Sequence, residues 1–587
     1  MTTIDLRRVL RWGLIAGGVM TFTAAVGMLE AFEDRLLIYP VLSLGYLLAL
    51  WFVPVAGYQA TNAAVLEGME APPKGLHNVI AGAVTGLAGG VVLALFAVVI
   101  NAFDLRDVFV PFSVKLVGLL TYGLGVPDGL PYTVLAPAAL GLGGGLLHLV
   151  TASSRRRVIL AAEWVAVVAL LEQVFSQILR QIRLEVVADR VFTLKALEWW
   201  AALVVAILVG AVAERTRGGA GRIRERLFAG DPRQRTRNSV WLAVLVLVFL
   251  IIIPQLLGSL LSEVLANVGL FLLMGLGLNI VVGLAGMLDL GYVAFFAVGA
   301  YTVGVLTSPL SPRFTLEWSW WAALPVAILM SALAGLLVGT PVIRMRGDYL
   351  AIVTLGFGEI VRILFLSDWL SPTFGGAQGV QNIPGIPLGF TEVSGVGPEG
   401  VLYFALFFVL LAGWISWSLQ ESRIGRAWTA LREDETVAAA MGINIVRAKL
   451  NAFIVGAILA GFAGALFAAK LGSVFPSSFE LLVSIIILVV VIVGGMGNIP
   501  GVAVGAVVLI GVLGGPNLPG LLAEFAEFKL LIYGALLVFM MLRKPEGLVP
   551  SVRRSRELYG DELTQDAWLD KGGVFADAPG GEQEATS

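Results

Sequence analysis

The hydrophobic positions of this chain form long apolar runs separated by short polar stretches. Most runs are roughly 17 to 25 residues long, which is the length that an α-helix needs to cross about 30 Å of hydrocarbon. The pattern predicts an all-α polytopic integral membrane protein with about sixteen transmembrane helices, about six in the first part and ten in the second. The predicted spans are 9–29, 36–57, 78–103, 131–151, 157–178, 197–213, 239–258, 263–283, 289–309, 320–342, 349–367, 400–419, 449–470, 481–496, 500–515 and 527–542.

The polar stretches divide the chain into four parts. Residues 1–213 form a predicted N-terminal membrane extension of about six helices, and 239–550 a second membrane domain. The segment 214–238 between them is rich in arginine and glycine, which predicts a basic cytoplasmic linker. Residues 551–587 are polar and acidic, so we expect a disordered tail that cannot bury a core.

Composition supports the membrane assignment. The chain is 58% hydrophobic and only 14% charged, and its mean hydropathy is +0.90. A soluble domain carries nearer a quarter charged residues, so lipid is the expected surrounding. The absence of cysteine excludes disulfides, thiolate metal sites and cysteine catalysis. We expect no metal site, no nucleic-acid partner and no catalytic residues.

Basic residues predict the orientation of the spans, because lysine and arginine concentrate in cytoplasmic loops. With the N-terminus inside, sixteen crossings place the basic groups at 155–157, 214–237, 421–449 and 543–556 on the cytoplasmic side. The loop 179–196 is an exception, since it carries Arg180 and Arg183 but falls outside. Both termini are predicted to be cytoplasmic.

A first polar interruption lies between Leu278 and Thr302. Gly283 and Gly286 break the apolar run, while Asn279 and Asp289 place polar groups at membrane depth or at its edge. Unwound backbone at that depth is tolerated where it lines protein or water. The pattern fits a translocation path, and it also fits plain helix packing with a short turn at Gly286.

A second interruption is the stretch Gly347–Arg362. Glu359 and Arg362 are three residues apart, so they share a helix face and can pair. Ionisable residues inside a span usually face a bundle interior or a cavity. The alternative is a structural ion pair near the outer membrane surface.

A third feature is the loop 421–449, which is too polar to be a span. Residues 427–441 are rich in helix formers, and alanines occupy 438, 439 and 440. We predict a short amphipathic helix that ends at Gly442 as its C-terminal cap. The small residues would let another protein approach closely.

This loop resembles the EAA-type cytoplasmic loop of ABC-importer permeases, and most closely that of the LivM-type permeases of branched-chain amino-acid importers. The resemblance covers roughly 240–550. Four further stretches carry it, in the expected order: GLAGMLDLGYVAFFAVGAY, GDYLAIVTLGFGEIVRI, TFGGAQGVQNIP and VGGMGNIPGVAVGA. Residues 1–238 show no matching motif.

The resemblance implies an ABC-importer permease fold and assigns roles to several residues. Glu435, Ala438, Ala439 and Gly442 are the implied ATPase-coupling positions, although Glu435 is offset from the alanines. The rearrangement between outward- and inward-facing states is expected at four hinge glycines, Gly283, Gly286, Gly494 and Gly495. The residues expected along the translocation path are Asn279, Asp289, Tyr292, Thr354, Glu359 and Arg362.

The resemblance also implies partners. A LivH-like second permease, two ABC ATPase subunits and an extracytoplasmic substrate-binding protein would complete an importer in the bacterial inner membrane. The binding protein would dock at the external loop 368–399. No GxxxxGK[ST] phosphate loop occurs, so this chain is not expected to be an enzyme or to bind a cofactor, and ATP and Mg²⁺ would sit on the ATPases.

Three alternatives remain open on the sequence. The same importer family is associated with urea and short amides. Asp289 and Glu359 could carry protons in an ion-gradient-driven secondary transporter, which gives no reason for the 421–449 loop. A membrane-embedded enzyme is disfavoured, because no His, Asp or Cys cluster lies near the membrane surface.

Overall fold

The computed structural model describes residues 6–61, 76–103, 108–215, 241, 258–311, 313–314, 316–342, 345, 347–388, 392–393, 398–515, 518 and 520–549. The predicted linker 214–238 and tail 551–587 lie outside the described residues, apart from the first two linker positions. The chain divides into two compact units, Met1–Leu247 and Val248–Ser587. The boundaries predicted from the sequence stay a prediction.

The first unit contains eleven helices and four short strands within the described ranges. Its helices are α1 Leu6–Ala25, α2 Met28–Ala31, α3 Leu44–Leu50, α4 Phe52–Thr61, α5 Leu76–Ala102, α6 Val114–Leu120, α7 Leu130–Leu146, α8 Ala152–Leu170, α9 Glu172–Gln181, α10 Glu185–Val191 and α11 Trp199–Arg215. Its strands are β1 Leu36–Tyr39, β2 Leu42–Ser43, β3 Phe192–Thr193 and β4 Ala196–Glu198.

Helices α5 and α7 of the first unit pack backbone to backbone. A Cβ at Gly86 would collide with the carbonyl oxygen of Pro137, and a Cβ at Gly82 would collide with that of Gly141. In lipid, where helices gain little from hydrophobic burial, such close packing is a main source of association.

Two predicted spans of the first unit are corrected. The span 36–57 begins as a hairpin, β1–β2, in a sheet of order β2-β1-β4-β3, and its helical part is divided between α3 and α4. The span 157–178 is bent by 73° between α8 and α9. The loop 179–196 holds the end of α9, then α10 and β3, with Arg180 paired to Asp189 at 3.0 Å.

The helices of the second unit carry the motifs quoted above. They are α12 Gly258–Leu284, α13 Val293–Thr307, α14 Trp320–Val342, α15 Asp348–Leu366, α16 Ser371–Phe374, α17 Pro398–Glu421, α18 Arg423–Glu433, α19 Glu435–Ala440, α20 Ile445–Leu471, α21 Leu481–Gly494, α22 Ile499–Ala506 and α23 Lys529–Arg543. The two strands Ile386–Pro387 (β5) and Glu392–Val393 (β6) form an antiparallel pair. The last turns of α12, Asn279–Leu284, and the continuation of α22, Val507–Leu513, are π-helical.

The core of the second unit is formed by α12, α13, α20 and α21. These helices are apolar on all sides and largely buried, and Tyr292, Phe453 and Val490 have no exposed surface. A helix that is hydrophobic all round is expected at the centre of a bundle. Helices α15, α17 and α23 expose apolar side chains such as Ile352, Phe407 and Val538, as lipid-facing helices do.

The predicted count of membrane spans can be compared with the helices of the described part of the chain. Eight helices within the described ranges are long and apolar enough to cross a membrane, and nine if the bent pair α8–α9 is one span. Five shorter apolar helices accompany them, including α13 and α22. The span 239–258 lies almost entirely outside the described residues, so the count of sixteen stays a prediction. The multi-pass helical architecture is confirmed.

Candidate coupling and translocation site

The polar loop 421–449 folds as two short helices, not as the single helix predicted over 427–441. Helix α18 starts at Ser422, whose hydroxyl accepts hydrogen bonds from the Ile424 and Gly425 N–H groups. Its buried side is anchored by Trp428, which has no exposed surface and donates from Nε1 to the Ala448 carbonyl at 2.9 Å. The indole therefore fixes α18 against the start of α20.

Asp434 produces the break between α18 and α19. Its backbone is extended, and its Oδ1 accepts from the Thr436 N–H at 2.7 Å and the Val437 N–H at 3.0 Å, so it caps α19. Aspartate is a preferred N-cap because its carboxylate satisfies the free amides of the first turn. An aspartate directly before Glu435 is the sequence signal that could have predicted this helix start.

The predicted cap at Gly442 is confirmed. Gly442 has a φ of 86°, and its N–H donates to Ala439 O, while the Ile443 N–H donates to Ala438 O. This pair of bonds is a Schellman motif, which needs a residue that tolerates the left-handed region.

The four predicted coupling positions do not share one environment. Ala439 and Gly442 are exposed, whereas Ala438 is buried at 2% exposure against the bundle. The carboxylate of Glu435 accepts from Lys449 Nζ at 2.9 Å, so its charge is already used within this chain. The exposed apolar surface of α19 and its C-terminal end includes Ala439, Val437 and Met441, and its function in coupling stays a prediction.

Arg432, at the end of α18, reaches into the membrane bundle. Its guanidinium donates to the Gly283 carbonyl of α12 at 2.7 Å. Its aliphatic stem covers Gly286, where a Cβ would lie 2.7 Å from Arg432 Cγ and where φ is 72°. Sequence reasoning did not single out Arg432, because only the fold brings the loop 421–449 against residues 283–286.

The glycine breaks of α12 and of the α21–α22 connection meet at this same point. Asn279 Oδ1 accepts from the Gly497 N–H at 2.8 Å, and a Cβ at Gly283 would lie 2.5 Å from that nitrogen. Gly494 packs on Gly501 of α22. The two segments are therefore in close contact, through the Asn279 side chain and through glycine backbones.

The other two predicted hinge positions have backbones that favour glycine. Gly286 lies under Arg432 as described, and Gly495 has a φ of 127° beside the Val549 carbonyl, 2.5 Å from where a Cβ would be. Of the four predicted hinge glycines, Gly283 and Gly286 contact Arg432 at the end of α18, whereas Gly494 and Gly495 pack against Gly501 and Val549. Their function as hinges stays a prediction.

Four residues of the predicted translocation path are buried contacts between helices in this conformation. Asp289 Oδ1 accepts from the Gly291 N–H at 2.9 Å, while its Oδ2 is buried beside the Thr354 hydroxyl without a well-formed hydrogen bond in the described part of the chain. Thr354 Oγ1 also accepts from the Leu290 N–H at 3.1 Å. Tyr292 donates its hydroxyl proton to the Gly456 carbonyl at 2.8 Å. The fourth, Asn279, holds Gly497.

The remaining two residues of the path, Glu359 and Arg362, are partly exposed on α15. Arg362 Nε lies 3.0 and 3.1 Å from the two carboxylate oxygens of Glu359, and its terminal nitrogen also contacts Oε1. The pairing predicted from their spacing is confirmed. Glu480 is close enough to Arg362 for their charges to interact.

Comparisons with known proteins place the second unit in a known family. A family model described as the branched-chain amino acid transport system / permease component matches residues 260–541. The high-affinity branched-chain amino acid transport system permease protein LivM of Escherichia coli (strain K12) is 42% identical over 310 residues, covering 49% of this chain and 70% of that protein. The chain belongs to this family of branched-chain amino-acid transport permeases. It is therefore a transport permease subunit.

Two other relatives match about the same share of this permease. The probable branched-chain amino acid transport permease protein LivM of Methanocaldococcus jannaschii is 25% identical over 329 residues, which cover 94% of that protein and 50% of this chain. The permease protein LivH of Escherichia coli (strain K12) is 24% identical over 293 residues, 91% of its length and 48% of this chain. No solved structure matches the chain.

Proposed function

We propose that the chain is the LivM-type membrane subunit of an ABC importer that moves branched-chain amino acids from an extracytoplasmic binding protein into the cytoplasm. It pairs with a LivH-like second permease, and two ATPase subunits bind its cytoplasmic face. ATP and Mg²⁺ are held by those ATPases, and this chain contributes no catalytic group.

The observation that carries this proposal is the contact between α18 and the glycine break. The short helices α18 and α19 leave an exposed apolar surface outside the bundle, while Arg432 connects the same helices to Gly283 inside it. A movement imposed on α18 and α19 by a partner therefore reaches α12 directly. A conformational change driven by a partner needs such differential contacts in its two states.

The similarity to both LivM and LivH proteins supports a pair of related permeases. Two homologous membrane subunits can form a pore around an approximate two-fold axis, since symmetric assemblies repeat one interface. In that arrangement the basic residues near α18 and after α23 face the cytoplasm, and both termini lie inside.

The decisive test is uptake of labelled leucine, isoleucine and valine by vesicles that contain the permease, its paired permease, the ATPases and the binding protein. We expect uptake that requires ATP and persists when the proton gradient is collapsed. Uptake of urea or short amides without uptake of amino acids would show that the substrate class is urea and amides and not amino acids. Uptake that follows the proton gradient would contradict the importer mechanism.

The docking surface has its own prediction. Ala439→Arg introduces a long charged side chain on the exposed face of α19, and we expect loss of ATPase co-purification and of uptake with an unchanged melting temperature. Ala322→Arg is the matched control, since Ala322 is exposed on α14 near the end of the bundle opposite α18. Retained ATPase association in the Ala439 variant would remove the docking assignment. The single substitution is preferable to changing Glu435, whose ion pair with Lys449 belongs to this chain.

One observation favours the secondary-transporter alternative. Asp289 is an acidic side chain that is buried to 1% exposure without a cationic partner in the described structure. Buried acids of this kind form proton relays in pumps and transporters. The variant Asp289→Asn separates the two functions.

A further inference from the structure

A cavity of about 370 Å³ lies among α12, α20, α21 and α23 of the second unit. Its size is within the range of small-molecule sites, which hold roughly 300 to 1,000 Å³. None of the six residues predicted along the translocation path lines it. Glu480 on the rim of the cavity is close enough to Arg362, one of those six residues, for their charges to interact.

The inner wall of the cavity is apolar. Phe271 and Met274 from α12 and Phe467 from α20 line it, and all three are largely buried, with exposures of 7% or less. Ile486 of α21 and Tyr533 of α23 complete that wall. Such a wall suits a branched aliphatic side chain and offers nothing to a small polar molecule.

The rim of the cavity is polar and charged. Glu480 and Glu527 place two exposed carboxylates there, beside the hydroxyl of Ser478. Lys529 donates from Nζ to the carbonyls of Gly515 at 3.2 Å and Leu518 at 3.1 Å. An ammonium group has three donors, so these two bonds leave one for a ligand carboxylate.

The rim lies at the end of the bundle opposite α18. Helix α20 runs from Ile445, next to α18, to Leu471, and the connection 472–480 follows it before α21 returns towards Gly494 and the glycine break. Under the proposed function, α18 is cytoplasmic, so the rim opens on the external side, where a binding protein releases its ligand.

We propose that this cavity is the external receiving site of the permease for a hydrophobic α-amino acid. The aliphatic side chain packs between Phe271, Met274 and Phe467, the α-ammonium group lies between the Glu480 and Glu527 carboxylates, and Lys529 takes the α-carboxylate. Charges of both signs at one rim recognise a zwitterion, and a neutral amide or urea lacks both. This inference rests on the proposed function and assigns its substrate to a site in this chain.

The first test removes the negative charges from the rim of the cavity and leaves the rest of the permease unchanged. Glu480→Gln combined with Glu527→Gln removes two exposed carboxylates, so the fold should be retained. We expect the KM for leucine uptake by the complete importer to rise about tenfold or more, because bonds to charged groups are lost, while kcat changes little. Glu317→Gln is the matched control, an exposed acid at the same end of the bundle that does not line the cavity.

The second test measures whether the inner wall of the cavity selects substrates by the size of their side chains. Met274→Ala should enlarge the cavity and shift preference from valine towards phenylalanine by about tenfold or more, since pocket size discriminates on that scale. The same substitution at Met330, which is 43% exposed on α14, should leave preference unchanged. The ratio of two uptake rates is independent of how much folded protein is present.

The outcomes are distinguishable from failure of the proposed function. A wild-type complex that moves no amino acid contradicts the proposed function itself. A wild-type complex that transports leucine, with unchanged KM in the rim variant and unchanged preference in the Met274 variant, overturns the receiving site alone. A third outcome is a Met274 variant whose uptake depends on lipid composition but not on substrate size. That result would assign the cavity to a lipid chain, and it would also contradict the receiving site.

Discussion

At the scale of single residues, Arg432 combines a charged donor with a long apolar stem at the place where α18 meets α12. The guanidinium satisfies the Gly283 carbonyl in the π-helical turn, a segment where the regular helix bonds are interrupted. The stem covers Gly286, which has no side chain of its own. Arg432 therefore contacts both Gly283 and Gly286, the two glycines at the end of α12.

Replacing Arg432 should uncouple the ATPases from the pore. For Arg432→Met we expect uptake to fall about tenfold or more, because a hydrogen bond from a charged group is worth about 1.5–3 kcal/mol. ATPase subunits should still co-purify, since the exposed surface of α19 is unchanged. The measurement is the ratio of amino acid transported to ATP hydrolysed in vesicles.

Arg423→Met is the control for that variant, because it removes the same charge from an exposed position of the same helix. It should keep the transport ratio of the wild type. A normal ratio in the Arg432 variant would show that the contact with Gly283 does not transmit movement.

The buried carboxylate of Asp289 has two candidate roles, which are to hold the turn 289–291 or to carry protons, and substitutions distinguish them. If it holds the turn 289–291 through its bond to the Gly291 N–H, an amide oxygen can replace it. We expect Asp289→Asn to retain most of the uptake and to melt at a higher temperature, because an ionised group without a cationic partner is costly to bury. Asp289→Ala should lose both uptake and stability, and abolished uptake in a well-folded Asp289→Asn would favour the proton-carrying alternative.

The residue scale also shows how far spacing predicts contacts. The Glu359–Arg362 pair follows from an interval of three on one helix, so the sequence predicts it. The Glu435–Lys449 and Arg432–Gly283 contacts join segments 14 and 149 residues apart, and no local pattern encodes them. The family resemblance implies that Glu435 contacts the ATPase, and the fold pairs its carboxylate with Lys449, so its coupling role stays a prediction.

At the scale of elements, α12 and α22 end in π-helical turns beside close backbone contacts. Arg432 donates to the Gly283 carbonyl in the π-helical turn of α12, and Asn279 in the same turn accepts from the Gly497 N–H in the connection before α22. Such π-bulges are frequent at functional sites. The element is helical, as its apolar run predicts, but its last turn differs because of its neighbours.

Gly283 tests whether that packing is needed. In Gly283→Ala the new Cβ would collide with Asn279 Oδ1 and lie 2.5 Å from the Gly497 nitrogen. We expect loss of uptake and a lower melting temperature. Gly356→Ala on α15 has no neighbour within 4 Å of its Cβ, so uptake should persist and stability should rise by up to about 1 kcal/mol, the helix-propensity difference. Equal behaviour of the two variants in uptake and thermal unfolding would refute a specific role for Gly283.

At the scale of the whole molecule, the family match falls on the second unit. The Methanocaldococcus jannaschii relative is covered over 94% of its length by an alignment spanning half of this chain, so a comparable first unit does not belong to that relative. The first unit has its own buried core around Met20, Leu29 and Leu116. It is a separate packing unit attached to a permease.

Deleting residues 1–238 should therefore leave most of the ATP-dependent leucine uptake per molecule in the membrane. A domain with its own core can fold alone, and the motifs discussed above all lie beyond the deletion. Uptake and surface amount should be measured together, with 1–238 expressed alone as the inactive control. Complete loss of uptake from a correctly inserted 239–587 chain would make the first unit part of the transport machinery.

Hydrophobic periodicity by itself determined that the chain is a multi-pass helical membrane protein, because backbone groups in lipid must be satisfied within helices. Local chemistry also determined the Gly442 cap and the Glu359–Arg362 pair, since both involve neighbours in one segment. The tertiary structure alone decided three features: the hairpin at 36–43 within the predicted span 36–57, the contact of Arg432 with the glycine break, and the cavity beside Met274. These depend on which distant segments meet, and that is set by packing and by satisfaction of backbone groups across the bundle.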